Sequence, residues 1–182
     1  YLLKDLDLKI LSSKDLNLKE PNETENTFIG NARIKSKFSC FQSNLPSLSD
    51  DSGLQVHALG NKPGVYTADW AFDERGRDFK KAMHRVWNEL SETKQSEPYT
   101  ANFICTLVLT FPNGHEEIFE GSIHGIITWP MRGRDGHGYD PIFVPDGYER
   151  TFGEMKSSEK NKISHRSIAL KKFISFYLNK FN

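Results

Sequence analysis

Two adjacent carboxylates, Asp50 and Asp51, lie between apolar segments of this sequence. Leu54 and Val56 alternate with polar residues after them, which predicts that the acids stand at the end of one strand or the start of the next. Adjacent strand residues point to opposite faces, so we expect one acid to carry chemistry and the other to support the backbone. A polar turn, in which Gly53 supplies a positive φ, is the alternative interpretation.

The chain offers further residues with chemical potential. They comprise an acid, two amines, one bidentate donor and two rings that can stack, namely Glu23, Lys35, Lys160, Arg166, His137 and Tyr139. Carboxylates bind a hard cation such as Mg²⁺ at about 2.1 Å, and this set is typical of a metal-dependent nucleotide site. The six His and two Cys lack the close spacing of zinc ligands.

A helix over 28–41 is expected to position one of these amines. Thr24 or Thr27 is suited to its N-cap, and Asn31 and Lys35 lie one turn apart beside the apolar face. A solvated Lys35 is the alternative. The apolar residues expected to face inward are Ile34, Phe38 and Phe41.

The rest of the chain alternates helical and extended patterns. Periodicity predicts a short strand over 8–12, a helix over 78–90, a hairpin of strands 102–111 and 115–123 around Asn113-Gly114, and a terminal helix over 164–181. The glycine-rich segment 133–138 does not lie between a strand and a helix, so the dinucleotide fingerprint fails and a surface loop is the alternative.

Basic residues gather near the start of the terminal helix. Lys160, His165 and Arg166 oppose the helix dipole there, so a bound anion or polar ligand would explain them. A solvated basic cluster is the alternative.

Composition predicts one domain over residues 1–182, with 37% hydrophobic residues in a chain of 182. Because 24 basic residues balance 24 acidic ones, we expect neither nucleic acid nor a membrane surface as partner. No run has the length of a membrane span. Cys40 and Cys105 are interpreted as reduced core thiols, which suits a cytoplasmic protein. Tyr1-Leu2-Leu3 is typical of the end of a helix, so an upstream segment is expected.

Four stretches, in order along the chain, resemble the inosine triphosphate pyrophosphatase family. They are Glu23-Thr24 with Thr27-Phe28 and Asn31-Ala32, Asp50-Asp51-Ser52-Gly53-Leu54 with Pro63-Gly64-Val65-Tyr66, Gly138-Tyr139-Asp140-Pro141-Ile142-Phe143, and Glu159-Lys160-Asn161-Lys162-Ile163-Ser164-His165-Arg166. The resemblance implies an α/β fold with a long curved mixed β-sheet flanked by helices, two lobes and a central cleft. It also implies a Mg²⁺-dependent homodimer that hydrolyses ITP, dITP or XTP to a monophosphate and pyrophosphate.

The resemblance also implies roles for individual residues. Asp51 would be the catalytic base or water-orienting group, and Glu23 and Asp51 would hold Mg²⁺. Ser52, Lys35 and Lys160 would contact the phosphates. The base pocket would comprise His137, Gly138, Tyr139, Asp140, His165 and Arg166.

The sequence departs from the family pattern at several points. A strand and a loop with a phosphate-binding lysine would precede Tyr1 in the family, so we expect this sequence to lack its N-terminal strand. Gly30 stands where many members have glutamate, Asp69-Trp70 where many have arginine, and His137 where many have an aromatic residue. A related Mg²⁺-dependent pyrophosphatase of other base specificity, a phosphatase releasing orthophosphate, and a non-catalytic nucleotide-binding module remain alternatives.

Overall fold

The structure, a computed structural model, describes residue 6, residues 8–74 and residues 76–181. The helix end expected at Tyr1-Leu2-Leu3 lies outside the described residues. Within them, no helix has both the length and the apolar character needed to cross a membrane.

The described chain folds into four α-helices and seven strands. The helices are α1 (Phe28–Ser43), α2 (Phe79–Ser91), α3 (Ser157–Ile163) and α4 (His165–Phe181). The strands are β1 (Ser47–Val56), β2 (Lys62–Pro63), β3 (Phe72–Asp73), β4 (Gly76–Arg77), β5 (Tyr99–Thr110), β6 (Glu116–Ile127) and β7 (Phe143–Pro145). Short 3-10 helices include Gly64–Thr67 and Asp140–Ile142.

Five strands form one sheet in the order β2, β1, β5, β6, β7. β2 pairs with β1 through Pro63 and Gln55, and β7 pairs with β6 through Val144 and Ile126, both antiparallel. β5 and β6 are the hairpin predicted around Asn113-Gly114. The α/β class is therefore confirmed, and the described sheet is antiparallel where the resemblance implies a mixed one. β3 and β4 form a separate two-stranded sheet.

The chain divides into two compact units, each with its own apolar core. Unit 1 comprises Tyr1–Asp51, Cys105–Gly121 and Arg166–Asn182, and unit 2 comprises Ser52–Ile104 and Ser122–His165. The unit 1 core includes Cys105, Leu107, Leu109, Phe119, Ala169 and Phe173. The unit 2 core includes Leu54, Val86, Phe103, Tyr139, Phe143 and Phe152. Cys40 and Cys105 are buried and form no disulfide, as expected. The single domain over 1–182 stays a prediction.

Helix α1 begins and ends at residues that satisfy its free backbone groups. The Thr27 hydroxyl accepts a hydrogen bond from the Gly30 amide at 3.0 Å, and Asn44 closes the helix in the left-handed region at φ 54°. The predicted inward face is wrong at Phe41, which is 89% exposed. The buried face instead carries Phe28, Asn31, Ala32, Ser36 and Cys40.

Helix α2 follows its predicted pattern closely. Asp78 caps it by accepting from the Lys80 amide at 2.9 Å, and its buried residues are Ala82, Met83, Val86 and Leu90. Burying a side chain such as Met83, Val86 or Leu90 contributes about 1.5 to 3 kcal/mol, so the apolar stripe holds the helix on its core. The short strand predicted over 8–12 is absent, because those residues have no regular structure.

Thr67 ties three segments of unit 2 together. Its hydroxyl donates to the Gly64 carbonyl at 2.6 Å and accepts from the Leu54 amide of β1 at 3.0 Å. Its own carbonyl accepts from the Tyr139 hydroxyl at 3.1 Å. One residue thus fixes β1, the 3-10 helix Gly64–Thr67 and the start of the 3-10 helix Asp140–Ile142.

Candidate functional site

Two carboxylates share one ammonium group in unit 1. Lys35 Nζ lies 3.0 Å from Asp51 Oδ1 and 3.2 Å from Glu23 Oε2. Three elements bring them together, because Glu23 precedes α1, Lys35 lies in its middle and Asp51 is in β1. We name these three residues the acid–lysine cluster. Its formal charge is negative by one, since two carboxylates face one cation.

Asp51 is the buried member of this cluster, with 8% of its surface exposed. Burial raises the pKa of Asp51 to about 6, although Lys35 acts to lower it, and Glu23 adds to the increase. Among the described residues no hydrogen-bond donor reaches its buried Oδ2 atom. Burial acts to lower the pKa of Lys35, but the attraction of Asp51 and Glu23 outweighs it and the pKa is raised.

Asp50 points away from this cluster, as the alternation of strand residues predicts. Its Oδ2 accepts a hydrogen bond from Arg166 Nη2 at 2.9 Å. Both side chains are well exposed, at 44% and 58%, so the pair contributes about 1 kcal/mol at most. Arg166 therefore lies in unit 1 beside Asp50, whereas the other predicted base-pocket residues belong to unit 2.

A second ionic group is buried in unit 2. Asp140 is 1% exposed, and its Oδ2 accepts from the His137 amide at 2.5 Å and from Lys160 Nζ. Gly136 adopts φ +87°, and a Cβ there would lie 2.1 Å from the same Oδ2. The glycine-rich loop thus closes tightly over the carboxylate. We name Asp140 and Lys160 the buried ion pair.

The aromatic residues predicted for the base pocket have different environments. His137 is exposed and meets Phe79 edge-on, with ring centroids 5.3 Å apart. Tyr139 is fully buried, and burial raises the pKa of its hydroxyl, which is bonded to Thr67. The His165 ring stacks on Phe103 at 4.9 Å. The Tyr139 ring is therefore a core residue here, while His137 is accessible to a ligand.

The remaining predicted residues are backbone neighbours of these groups. Ser52 follows Asp51 in β1 and is half-buried. Gly138 adopts φ +65°, a conformation that favours glycine, and a Cβ there would lie 3.6 Å from Phe79. The structure therefore groups Glu23, Lys35 and Asp51 in unit 1, and His137, Asp140 and Lys160 in unit 2.

Several contacts that support these groups do not follow from the sequence pattern. Phe79 packs against both His137 and Tyr139, and Phe152 lies 5.1 Å from Lys160 Nζ. Phe79 follows the cap Asp78 directly, a signal that placed it on α2 but not against the loop. Arg85 lies 3.8 Å above the Trp70 ring, so a guanidinium accompanies the Asp69-Trp70 departure.

The acid–lysine cluster fits a divalent metal ion. Proteins commonly bind Mg²⁺ through one or two carboxylates, with substrate phosphates and water completing the shell. Asp51 Oδ2, which lacks a donor among the described residues, is a suitable ligand atom, and Glu23 would supply a second carboxylate. No set of three or more His, Cys, Asp or Glu side chains in the described chain is placed to hold a metal. Phosphate and water oxygens would therefore complete the coordination.

Known proteins resemble this chain over most of its length. It is 52% identical over 174 residues to the dITP/XTP pyrophosphatase of Ruegeria pomeroyi, covering 96% of this chain and 85% of the relative. It is 49% identical over 174 residues to the enzyme of the same name from Agrobacterium fabrum, covering 90% and 81%.

Solved structures agree with this relationship. A HAM1 protein from Coxiella burnetii superposes with a TM-score of 0.92 at 34% identity, covering 98% of this chain and 90% of that one. The Ham1 protein of Staphylococcus aureus gives 0.84 at 30% identity, covering 92% and 85%. The Ham1 family profile matches residues 1–176. The resemblance seen in the sequence motifs is thereby confirmed: this chain belongs to the Ham1 family.

Proposed function

We propose that this chain hydrolyses the noncanonical purine nucleoside triphosphates ITP, dITP and XTP to the monophosphate and pyrophosphate, and so cleanses the nucleotide pool. The relatives named dITP/XTP pyrophosphatase support this substrate class. The observation that carries the chemistry is the sharing of one Lys35 ammonium by Glu23 and buried Asp51. This arrangement holds surplus negative charge beside a base whose pKa is raised to about 6.

Asp51 is the proton acceptor in this proposal. Its carboxylate takes a proton from water as the water oxygen bonds to the α-phosphorus and the bond to the bridging oxygen breaks. The bonding electrons leave with pyrophosphate. A base with a pKa of about 6 is ionised at neutral pH and still basic enough to accept a proton.

Charge neutralisation and positioning supply the rest of the rate. Lys35, Lys160 and Ser52 would contact the phosphate oxygens, because ammonium and hydroxyl groups donate to them. Mg²⁺, held by Glu23 and Asp51, would neutralise phosphate charge when bound. In this scheme Lys35 balances the acids before the substrate binds and turns to phosphate afterwards.

Base selection would depend on donors and acceptors. Hypoxanthine and xanthine present a 6-oxo acceptor that an Arg166 donor satisfies, whereas adenine presents an amino donor there. Once the bound base covers a donor, leaving it without an acceptor costs about 1 to 3 kcal/mol, so several such mismatches multiply into strong discrimination. The exposed His137 ring would stack on the base, and Gly138, Tyr139, Asp140 and His165 would shape the pocket around it.

Three further properties belong to the same proposal. The cation is Mg²⁺, which the family resemblance implies and which takes hard oxygen ligands such as these carboxylates. The protein is a homodimer, as the family resemblance supports, and it is cytoplasmic, as the two cysteines without a disulfide support. Light scattering of the purified protein tests the dimer, and restoration of activity by Mg²⁺ after chelation tests the cation.

A product assay tests the function directly. The purified protein, with Mg²⁺, is incubated with ITP, dITP, XTP, dGTP, dATP and dTTP, and pyrophosphate and orthophosphate are measured separately. We expect pyrophosphate from the first three only. Release of orthophosphate alone would indicate a phosphatase. Equal turnover of dTTP would indicate another base specificity, and nucleotide binding without turnover would indicate a non-catalytic module. Asp50→Asn is the matched control for Asp51→Asn, because the residues are adjacent but face different groups.

A further inference from the structure

The segment that carries Glu23 is fastened to helix α1 at two points. The Thr27 hydroxyl accepts from the Gly30 amide at 3.0 Å, and Asn31 Oδ1 accepts from the Glu25 amide at 2.9 Å. The second bond spans six residues and joins an α1 side chain to backbone ahead of the helix. It lies two residues from Glu23, so it fixes the chain immediately beside that carboxylate.

Asn31 is unusually placed for a polar helical residue. It is 3% exposed and lies on the buried face of α1, four residues before Lys35, which pairs with Glu23 and Asp51. Residues four apart on a helix share one face. Two residues on one face of α1 therefore hold this segment. Asn31 binds its backbone, and Lys35 binds the Glu23 carboxylate.

Gly30 allows the segment to pass directly against the helix. A Cβ at Gly30 would lie 2.6 Å from Glu25 Cβ and 2.8 Å from both Glu25 Cγ and Thr27 Oγ1. Any larger residue would displace Glu25, whose amide is the donor to Asn31. Glycine thus stands at a position where many family members have glutamate, and in this chain Glu25 leaves no room there for a side chain.

We propose that Asn31 is a positioning residue for the metal-binding carboxylate of Glu23, with Gly30 providing the close approach that the hydrogen bond needs. The Glu23 side chain is 43% exposed and pairs with the Lys35 ammonium. If Lys35 turns to the phosphates, that partner is lost, and the Asn31 bond continues to hold the backbone near Glu23. The inference rests on the proposed function, because it takes Glu23 as a metal ligand.

The test measures Mn²⁺ binding to the full chain by electron paramagnetic resonance, without substrate. For Asn31→Ala we expect the Mn²⁺ dissociation constant to rise about tenfold to hundredfold, the range that loss of a residue supporting a metal ligand usually causes. Gly30→Ala retains Asn31 but should weaken binding in the same direction. Asn31→Asp keeps the acceptor oxygen and should recover binding, and Asn26→Ala, an exposed change in the same segment, should leave it unchanged.

Thermal unfolding of each variant separates positioning from folding. A lower melting temperature with unchanged Mn²⁺ affinity in Asn31→Ala would overturn the proposal, as would a loss of affinity that Asn31→Asp does not recover. Wild-type protein that binds no Mn²⁺ would overturn it too. If Asn31→Ala does not fold, the comparison of Mn²⁺ affinity between Gly30→Ala and Asn26→Ala decides the proposal. The wild-type product assay with dITP is separate: its failure removes the proposed reaction, and the Mn²⁺ comparison still decides the role of Asn31.

Discussion

Two ionic groups of the molecule differ in their ratio of carboxylate to ammonium. The acid–lysine cluster of unit 1 has two carboxylates for one ammonium, whereas the buried ion pair of unit 2 has one of each. In unit 1, Glu23 and Asp51 share Lys35, and Asp51 Oδ2 receives no donor from the described residues. In unit 2, Asp140 receives both Lys160 and the His137 amide on one oxygen. The first cluster has negative charge to spare, whereas the second is balanced.

This difference separates two tasks that carboxylates perform. A balanced, desolvated pair is costly to disturb, so it fixes the shape of the glycine-rich loop. An unbalanced pair of acids retains affinity for another cation and for a proton. In the proposed function, the cluster in unit 1 therefore supplies the base and the cation ligands, whereas the pair in unit 2 shapes the base pocket and supplies the Lys160 contact to phosphate.

The largest expected effect is at the unbalanced cluster. Asp51→Asn should lower kcat for dITP by about 10³-fold or more, because it removes the proposed proton acceptor and a proposed cation ligand together. Pyrophosphate release measures the rate, and circular dichroism should show an unchanged fold. Asp50→Asn should retain most of the rate. Near-normal turnover by Asp51→Asn would remove the assignment of the base.

A smaller effect is expected at the balanced pair. Lys160→Met should destabilise the protein by about 3 to 5 kcal/mol, because Asp140 is left buried without its cation. Asp140→Asn combined with Lys160→Met should recover stability without recovering activity, since the proposed contact of Lys160 with phosphate stays lost. Urea unfolding and dITP turnover measure the two properties. Equal recovery of both would show that Lys160 serves the fold alone.

Arg166 tests whether base selection extends to a residue of unit 1. Arg166→Ala should lower kcat/KM for ITP by about 10- to 100-fold, the value of one charge-assisted hydrogen bond, and lower it less for ATP. Steady-state rates with both nucleotides measure the ratio. Equal losses would assign Arg166 to the phosphates or to its pair with Asp50.

The smallest effect concerns stability and pH. Because the pKa of Asp51 is raised from 3.8 to about 6, its contribution to folding is present below about pH 4 and is lost as the pH rises through 6. Without divalent cations, Asp51→Asn should therefore be more stable than wild type at pH 8 by about 1 to 3 kcal/mol, and the two should converge near pH 4. Thermal unfolding across pH measures this. A difference in stability that stays constant from pH 4 to pH 8 would contradict the raised pKa of Asp51.

The sequence predicts the parts of the fold that depend on local pattern. Helix α2 and the β5–β6 hairpin follow from apolar spacing and a turn dipeptide, and the opposite directions of Asp50 and Asp51 follow from strand geometry. The inward face of α1 does not follow. Ser36 is buried because its hydroxyl meets Thr110 at 2.8 Å, and a partner 74 residues away leaves no periodic signal.

The candidate site divides in the same way. The motifs identify Glu23, Lys35 and Asp51 by residue type, but their sharing of one ammonium depends on three elements meeting in the fold. Tyr139 has a ring that could stack on a base, yet its hydroxyl donates to the carbonyl of Thr67, 72 residues earlier in the chain. Side-chain type indicates what a residue can do, whereas distant partners determine whether it remains accessible.

Thr67 gives this region a property that amide hydrogen exchange can record. The Leu54 amide donates to its hydroxyl, and the Tyr139 hydroxyl donates to its carbonyl. When residues 64–67 open to solvent, both groups lose their partner in one event. The exchange of the Leu54 amide should therefore follow the opening of this turn rather than fraying of β1, and a Thr67→Val protein should exchange faster at Leu54.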